Sequence, residues 1–171
     1  AQTMAEAGHR LHDLVENYII YAQIELIMTQ PDRIFKMRQL REATPDRIIA
    51  AVVEAKMAKF NREAEINLQS GDSILPISHN NFEKIISELV YNAFKFSPPD
   101  TAVCLSTAVT NDTFTATVSN KGHGMTPEQI SSIGGYMQFE RKIHEQQGSG
   151  MGLIIAKRLA ELYGGRITIN S

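Results

Sequence analysis

The stretch NNFEKIISELVYNAFKFS, residues 80–97, places Phe82, Ile85, Ile86, Leu89, Val90, Ala93 and Phe94 at i, i+3, i+4, i+7, i+8, i+11 and i+12. Apolar residues at that spacing share one arc of an α-helix, so a helix resting on a core is expected from about Asn80. At the helical advance per residue, Glu88, Asn92 and Lys95 gather within roughly 60° on another flank. An acid, an amide and a cation converge there, either as a solvated face held by ordinary helical pairs or as a polar site. Ser97-Pro98-Pro99-Asp100 stops the helix.

Beyond it, Val103, Leu105 and Val109 and then Phe114, Ala116 and Val118 alternate with polar residues around Asn111-Asp112, which predicts an antiparallel hairpin. Residues 120–150 hold six of the 11 glycines with little apolar periodicity, long enough for a functional loop such as a lid. Helix is expected again from about Gly150 to Tyr163, closed by Gly164-Gly165, with a strand over Arg166 to Asn170.

Upstream, Ala64 to Gln69 and Ile74 to Ile77 flank the turn Ser70-Gly71-Asp72 and read as a two-strand unit. Thr44-Pro45-Asp46 opens a helix running to about Asn61, with Thr44 as its cap and Pro in its first turn. Phe35 to Gln39 reads as a short strand. Residues 3–30 form a long helix whose Met4, Leu11, Val15, Tyr18 and Ala22 step by seven, four, three and four, a heptad-like seam widened by Leu14 and Tyr21. Such a stripe suits an antiparallel bundle or a dimer, and Pro31-Asp32 is expected to end it.

Composition narrows the classes. The 171 residues, 43% apolar and 21% charged, suffice for one domain core and an appended helix. Seventeen basic against 19 acidic residues, a net charge of −2, leave no basic surplus for nucleic acid. The single Cys104 excludes an intramolecular disulfide and a cysteine-rich zinc site and suits a reducing compartment. The apolar run Tyr18 to Ala22 falls far short of the ~20 residues that cross a bilayer, and no signal peptide is visible. No membrane segment and a cytoplasmic location are therefore expected.

Two further segments carry chemistry. Asn120-Lys121-Gly122-His123-Gly124-Met125 follows a predicted strand, and its glycines would let backbone approach a flat ligand. Gly148-Ser149-Gly150-Met151-Gly152 stands at the mouth of a helix, where free amides and the macrodipole favour phosphate oxygens. The latter is no Walker A loop, because Leu153 follows Gly152. It is no dinucleotide fingerprint either, because its glycines alternate and follow no strand.

In this order the segments resemble the ATP-binding domain of sensor histidine kinases, within the superfamily that includes type II topoisomerases and mismatch-repair ATPases. The resemblance covers about residues 33–171. Its N-box is similar to Glu88 to Ser97, its G1 box to Asn120 to Met125, its F-box to Tyr136 to Arg141 and its G2 box to Gly148 to Leu153. It implies an α+β fold, a two-layer α/β sandwich with a mixed sheet covered by helices on one face. A long N-terminal helix, residues 1–30, would precede this domain as the second helix of a dimerisation hairpin.

By the same resemblance ATP and Mg2+ would be bound. Asn92, with Glu88, would belong to the magnesium shell, a hard ion taking oxygen ligands, and Lys95 would face the phosphates. Tyr91 would flank the base, Phe139 and Arg141 would belong to the lid, and Gly148, Gly150 and Gly152, with Leu153, would bring helix amides to phosphate. Asn120, with Gly122 and Gly124, would meet adenine. The family usually has Asp at that position, and a neutral acceptor should be weaker by about 1 kcal/mol.

The acceptor motif of these kinases, a His followed by an acid, a basic residue and Pro, has no counterpart here. His9-Arg10 lacks the acid, and His12-Asp13 lacks the Pro and the basic residue. The acceptor helix is expected to lie outside the chain, and the last strand to be truncated.

The implied function is transfer of the ATP γ-phosphoryl group to a histidine on a separate dimerisation helix and then to a response-regulator aspartate. Implied partners are a second copy through the N-terminal helix and a receiver domain. The alternatives are a stand-alone ATP hydrolase using Glu88 as base, or a non-catalytic nucleotide-sensing dimerisation module.

Overall fold

A computed structural model describes residues 2–71, 73–133 and 151–171. In chain order they form α1 (Gln2–Met28), α2 (Pro31–Gln39), α3 (Pro45–Phe60), β1 (Ala64–Asn67), α4 (His79–Lys95), β2 (Val103–Thr110), β3 (Thr113–Asn120), α5 (Pro127–Ser132) and α6 (Met151–Leu162). The apolar arc of α4 lies in the core, with Phe82, Ile85, Ile86, Val90, Ala93 and Phe94 buried. Its start is fixed by Ser78, whose hydroxyl accepts the Asn81 N–H at 3.3 Å. α3 packs beside it through Ile48, Ile49, Val52 and Val53 and ends at Asn61, which takes the left-handed conformation at φ 51°.

The sheet has the order β1-β2-β3, with β1 parallel to β2 and β2 antiparallel to β3. Asn111 and Asp112 both have positive φ, 48° and 61°, the requirement of the two-residue turn that matches strand twist. Val103, Leu105 and Thr107 of β2 are buried, and Phe114, Ala116 and Val118 of β3 pack against the same core. Phe82 meets Phe114 edge-on at 5.8 Å. Alternation along the hairpin thus turns one sheet face to the helices, as the two-layer expectation requires. Beneath α3, Asp46 accepts hydrogen bonds from Ser70 and, at 3.2 Å, from Thr107, so a polar knot ties helix to sheet.

α1 lies along α6. Ile24 is buried, Ile20, Tyr21 and Met28 pack on the core, and Glu25 pairs with Arg158 at 2.9 Å. The opposite stripe stays open, with Leu11 62%, Val15 49% and Tyr18 51% exposed.

Three expectations need correction. Phe35 to Gln39 is not a strand but the end of α2; the first helix does stop before Pro31, which itself opens α2. Proline at the first position, Asp32 in the first turn and Lys36 and Arg38 in the last suit a helix, and Arg38 reaches across to the Leu162 carbonyl at 2.8 Å. The segment 74–77 does not pair with β1; Leu75 makes a single antiparallel bridge to Ala43, and Pro76 lacks the donor a longer ladder would need. Arg166 to Asn170 forms no strand, because none of the described segments pairs with it, although Ile167 packs on the core. Within the expected lid, Thr126 and Gln129 form a reciprocal capping box that starts the short α5.

Candidate functional site

The polar flank of α4 meets the start of α6. Glu88 is 17% exposed, and its Oε1 lies 2.6 Å from Lys84 Nζ, one helical turn earlier. Its other oxygen faces Gly152, where an added Cβ would overlap Glu88 Oε2. A side chain at 152 would therefore expel the carboxylate from the mouth of α6, where amide dipoles favour a negative charge. Asn92 follows one turn on, half-buried, with Leu153 half-buried in the first turn of α6.

At the C-terminal end of α4 a second approach is as close. A Cβ on Gly122 would overlap the Phe96 carbonyl oxygen, so only glycine lets the loop after β3 lie on the helix end. Lys95, Phe96, Lys121, Gly122 and His123 line one shallow depression. The Phe96 and His123 rings meet edge-on at 5.6 Å, and Lys95 Nζ sits 4.9 Å from the Phe96 ring centre. Asn120 stands at the exposed end of β3, opposite Val103. Gly124, at φ 71°, turns the loop so that Met125 N–H donates to Ser171 Oγ at 2.6 Å.

The structure therefore brings Glu88 to Gly152 and the Lys95 end of α4 to Gly122, joining segments far apart in sequence. Tyr91 is not among them. Its ring packs on Phe60 of α3 at 5.5 Å, with the ammonium groups of Lys56, Lys59 and Lys95 at 5.7, 5.1 and 5.9 Å from its centre. Burial, and then the neighbouring Lys59 charge, hold the Lys56 pKa below its ordinary value. Phe139, Arg141, Gly148 and Gly150 lie outside the described residues.

Sequence reasoning missed Phe96, the exposed aromatic that meets the glycine loop. Its signal was an apolar residue just past the helix, off the buried arc. It also missed Arg62, whose guanidinium donates to the Phe94, Ser97 and Thr101 carbonyls at 2.8, 3.1 and 2.8 Å and so fixes the loop after α4.

The profile of the histidine kinase-, DNA gyrase B- and HSP90-like ATPases matches residues 78–171, which contain both close approaches. The chain belongs to that ATPase family. Among relatives, an uncharacterised sensor-like histidine kinase of Rhizobium meliloti is 30% identical over 135 residues, 74% of this chain and 26% of that protein. The circadian input-output histidine kinase CikA of Synechococcus elongatus is 26% identical over 172 residues, 97% of this chain and 22% of that protein. The chain thus spans about a quarter of these relatives' length.

Among solved structures, full-length ShkA in complex with AMPPNP aligns with TM-score 0.69 at 18% identity, over 95% of this chain and 33% of that one. The mycobacterial sensor histidine kinase MprB aligns with TM-score 0.61 at 21% identity, over 73% of this chain and 81% of that one. Both likenesses support the ATPase-family fold derived above. No described helix is long and apolar enough to cross a membrane.

Proposed function

We propose that this chain is the ATP-binding catalytic part of a sensor histidine kinase, its first 30 residues a dimerisation helix and residues 33–171 the catalytic domain. It would transfer the ATP γ-phosphoryl group to a histidine on a separate helix and thence to a receiver-domain aspartate. The observation that carries this reading is the seating of Glu88 against Gly152 at the mouth of α6, with Asn92 and Lys95 continuing along the same flank of α4. Amides and the positive end of a helix meet there the acid, amide and cation that phosphate recognition uses. Phosphoryl transfer needs mainly position and charge neutralisation, so no nucleophile in the domain is required.

The oxygen donors suit magnesium: Asn92 offers an amide oxygen, and one Glu88 oxygen faces a residue without a side chain. When bound there, the ion would neutralise phosphate charge. Lys95 would draw phosphate oxygens towards the C-terminal end of α4. Phe96 would supply an apolar face beside Gly122 for the base, with the Asn120 amide at the edge of the same loop. Tyr91, tilted against Phe60 of α3, supports the helix in this reading instead of touching the base.

A hydrolase in which Glu88 activates water is the weaker reading, because one of its oxygens is already committed to Lys84 at 2.6 Å. The decisive experiment is a calorimetric titration with a non-hydrolysable ATP analogue and magnesium. Binding is expected to need both magnesium and Asn92. A folded chain that binds nothing, or binds equally well as Asn92→Ala, would overturn the assignment. ATP turnover without phosphoprotein, when a helix carrying an acceptor histidine is supplied, would favour the hydrolase.

A further inference from the structure

Lys84, which already holds one oxygen of Glu88, also stands between two parts of the molecule. Its ammonium contacts Glu88 Oε1 at 2.6 Å and donates to Asn17 Oδ1 of α1 at 3.0 Å. Only 28% of its side chain is exposed, and 17% of that of Glu88. An ammonium has three donors, so both contacts are made at once.

We propose that Lys84 is a positioning residue shared by the nucleotide site and the N-terminal helix, orienting Glu88 at the mouth of α6 while latching α1 through Asn17. The proposal rests on the nucleotide reading only for its second arm, since the latch itself is a property of the free chain. Its geometry is specific. α1 is held on the core by apolar contacts near Ile24 and by the Glu25–Arg158 pair, both towards its C-terminal end. Asn17 is the contact that reaches back to α4, two turns earlier, next to the exposed seam of Leu14, Val15 and Tyr18.

A change of charge at Glu88 alters how firmly Lys84 is held, and Lys84 passes that change to α1 through Asn17. The magnesium–triphosphate complex that would seat at α6 stays net negative, and that charge beside the Lys84–Glu88 pair would hold the ammonium more tightly. Nucleotide and docking of α1 would therefore reinforce each other, and by linkage each would favour the other equally.

The test is hydrogen exchange of the amides around Asn17 in the intact chain. Without nucleotide, Glu88→Gln, which keeps the side-chain shape, should speed their exchange severalfold, and Lys84→Met should do so as much or more. Amides near Ile24 should change little. In both variants an unchanged melting temperature would show that the fold is intact. Exchange around Asn17 equal to wild type in both variants would overturn the latch.

With a non-hydrolysable ATP analogue and magnesium, exchange around Asn17 should slow in wild type by roughly tenfold at saturation. It should not slow in Lys84→Met. Nucleotide that binds without slowing it, or slows it equally in Lys84→Met, would overturn the coupling. If wild type binds no nucleotide, the functional assignment fails, while the nucleotide-free comparison still decides the latch.

Discussion

Arg62 shows how much of the site depends on a residue with no chemistry to offer. Its planar fork gathers three carbonyls and, at 3.1 Å, the Ser97 hydroxyl, while the guanidinium lies 5.2 Å from the Phe94 ring centre. Arg62→Met should cost about 2–4 kcal/mol in urea denaturation, because partly buried acceptors at the end of α4 lose their donors. Arg62→Lys should recover only part of it. Asn120 bears on affinity instead: Asn120→Asp should bind the ATP analogue more tightly in calorimetry, and equal or weaker binding would remove adenine from the end of β3. Lys56 supplies a pH signature. Its folded pKa lies below the ordinary value, so between the two the unfolded chain binds more protons and stability rises with pH. Below the folded pKa both states are protonated and the fold carries the cost of burying the charge. Lys56→Met should therefore be more stable than wild type below the folded pKa, and the difference should shrink as pH climbs through it.

At the scale of elements, legibility followed the number of independent constraints. Seven apolar positions fixed α4, and two left-handed residues fixed the hairpin turn. α2 was misread because nine residues carry little periodicity and because proline serves a first helical turn as readily as it ends a preceding helix. A strand over 166–170 could not be judged from alternation alone, since a strand exists only where a neighbour pairs with it. The order of the motifs pointed to the site, but the contact of Glu88 with Gly152 joins residues 64 apart in sequence, which no local pattern encodes. α1 divides into two faces with different duties. Ile24 faces α6, whereas Leu11, Val15 and Tyr18 face outwards, an apolar stripe that a second copy would cover. Leu11→Glu with Val15→Glu should lower the molar mass in light scattering from dimer to monomer and leave the melting temperature nearly unchanged. An unaltered mass would assign the stripe no partner of its own kind.

Across the whole molecule, the helices that line the site also hold the core. α4 packs on α3, on α6 and on β3, and α1 lies along α6, so the mouth of α6 cannot shift without disturbing most of the buried apolar surface. A ligand seated at that mouth should for this reason stabilise the entire fold and not merely one loop. A ligand that binds only the folded state adds RT ln(1 + [L]/Kd), about 2.7 kcal/mol at a hundredfold excess over Kd. For a chain of this size that corresponds to roughly 5–10 °C in melting temperature. The magnesium complex of a non-hydrolysable ATP analogue should produce such a shift in scanning calorimetry. Asn92→Ala or chelation of the metal should abolish it, since each removes an oxygen-ligand contact and leaves the phosphate charge beside Glu88 without compensation. Gly152→Ala tests the same mouth from the other side: its methyl group would drive the carboxylate out, and the shift should fall even though α6 gains a better helix former. A full shift in Gly152→Ala would mean that nucleotide binds away from the junction of α4 and α6.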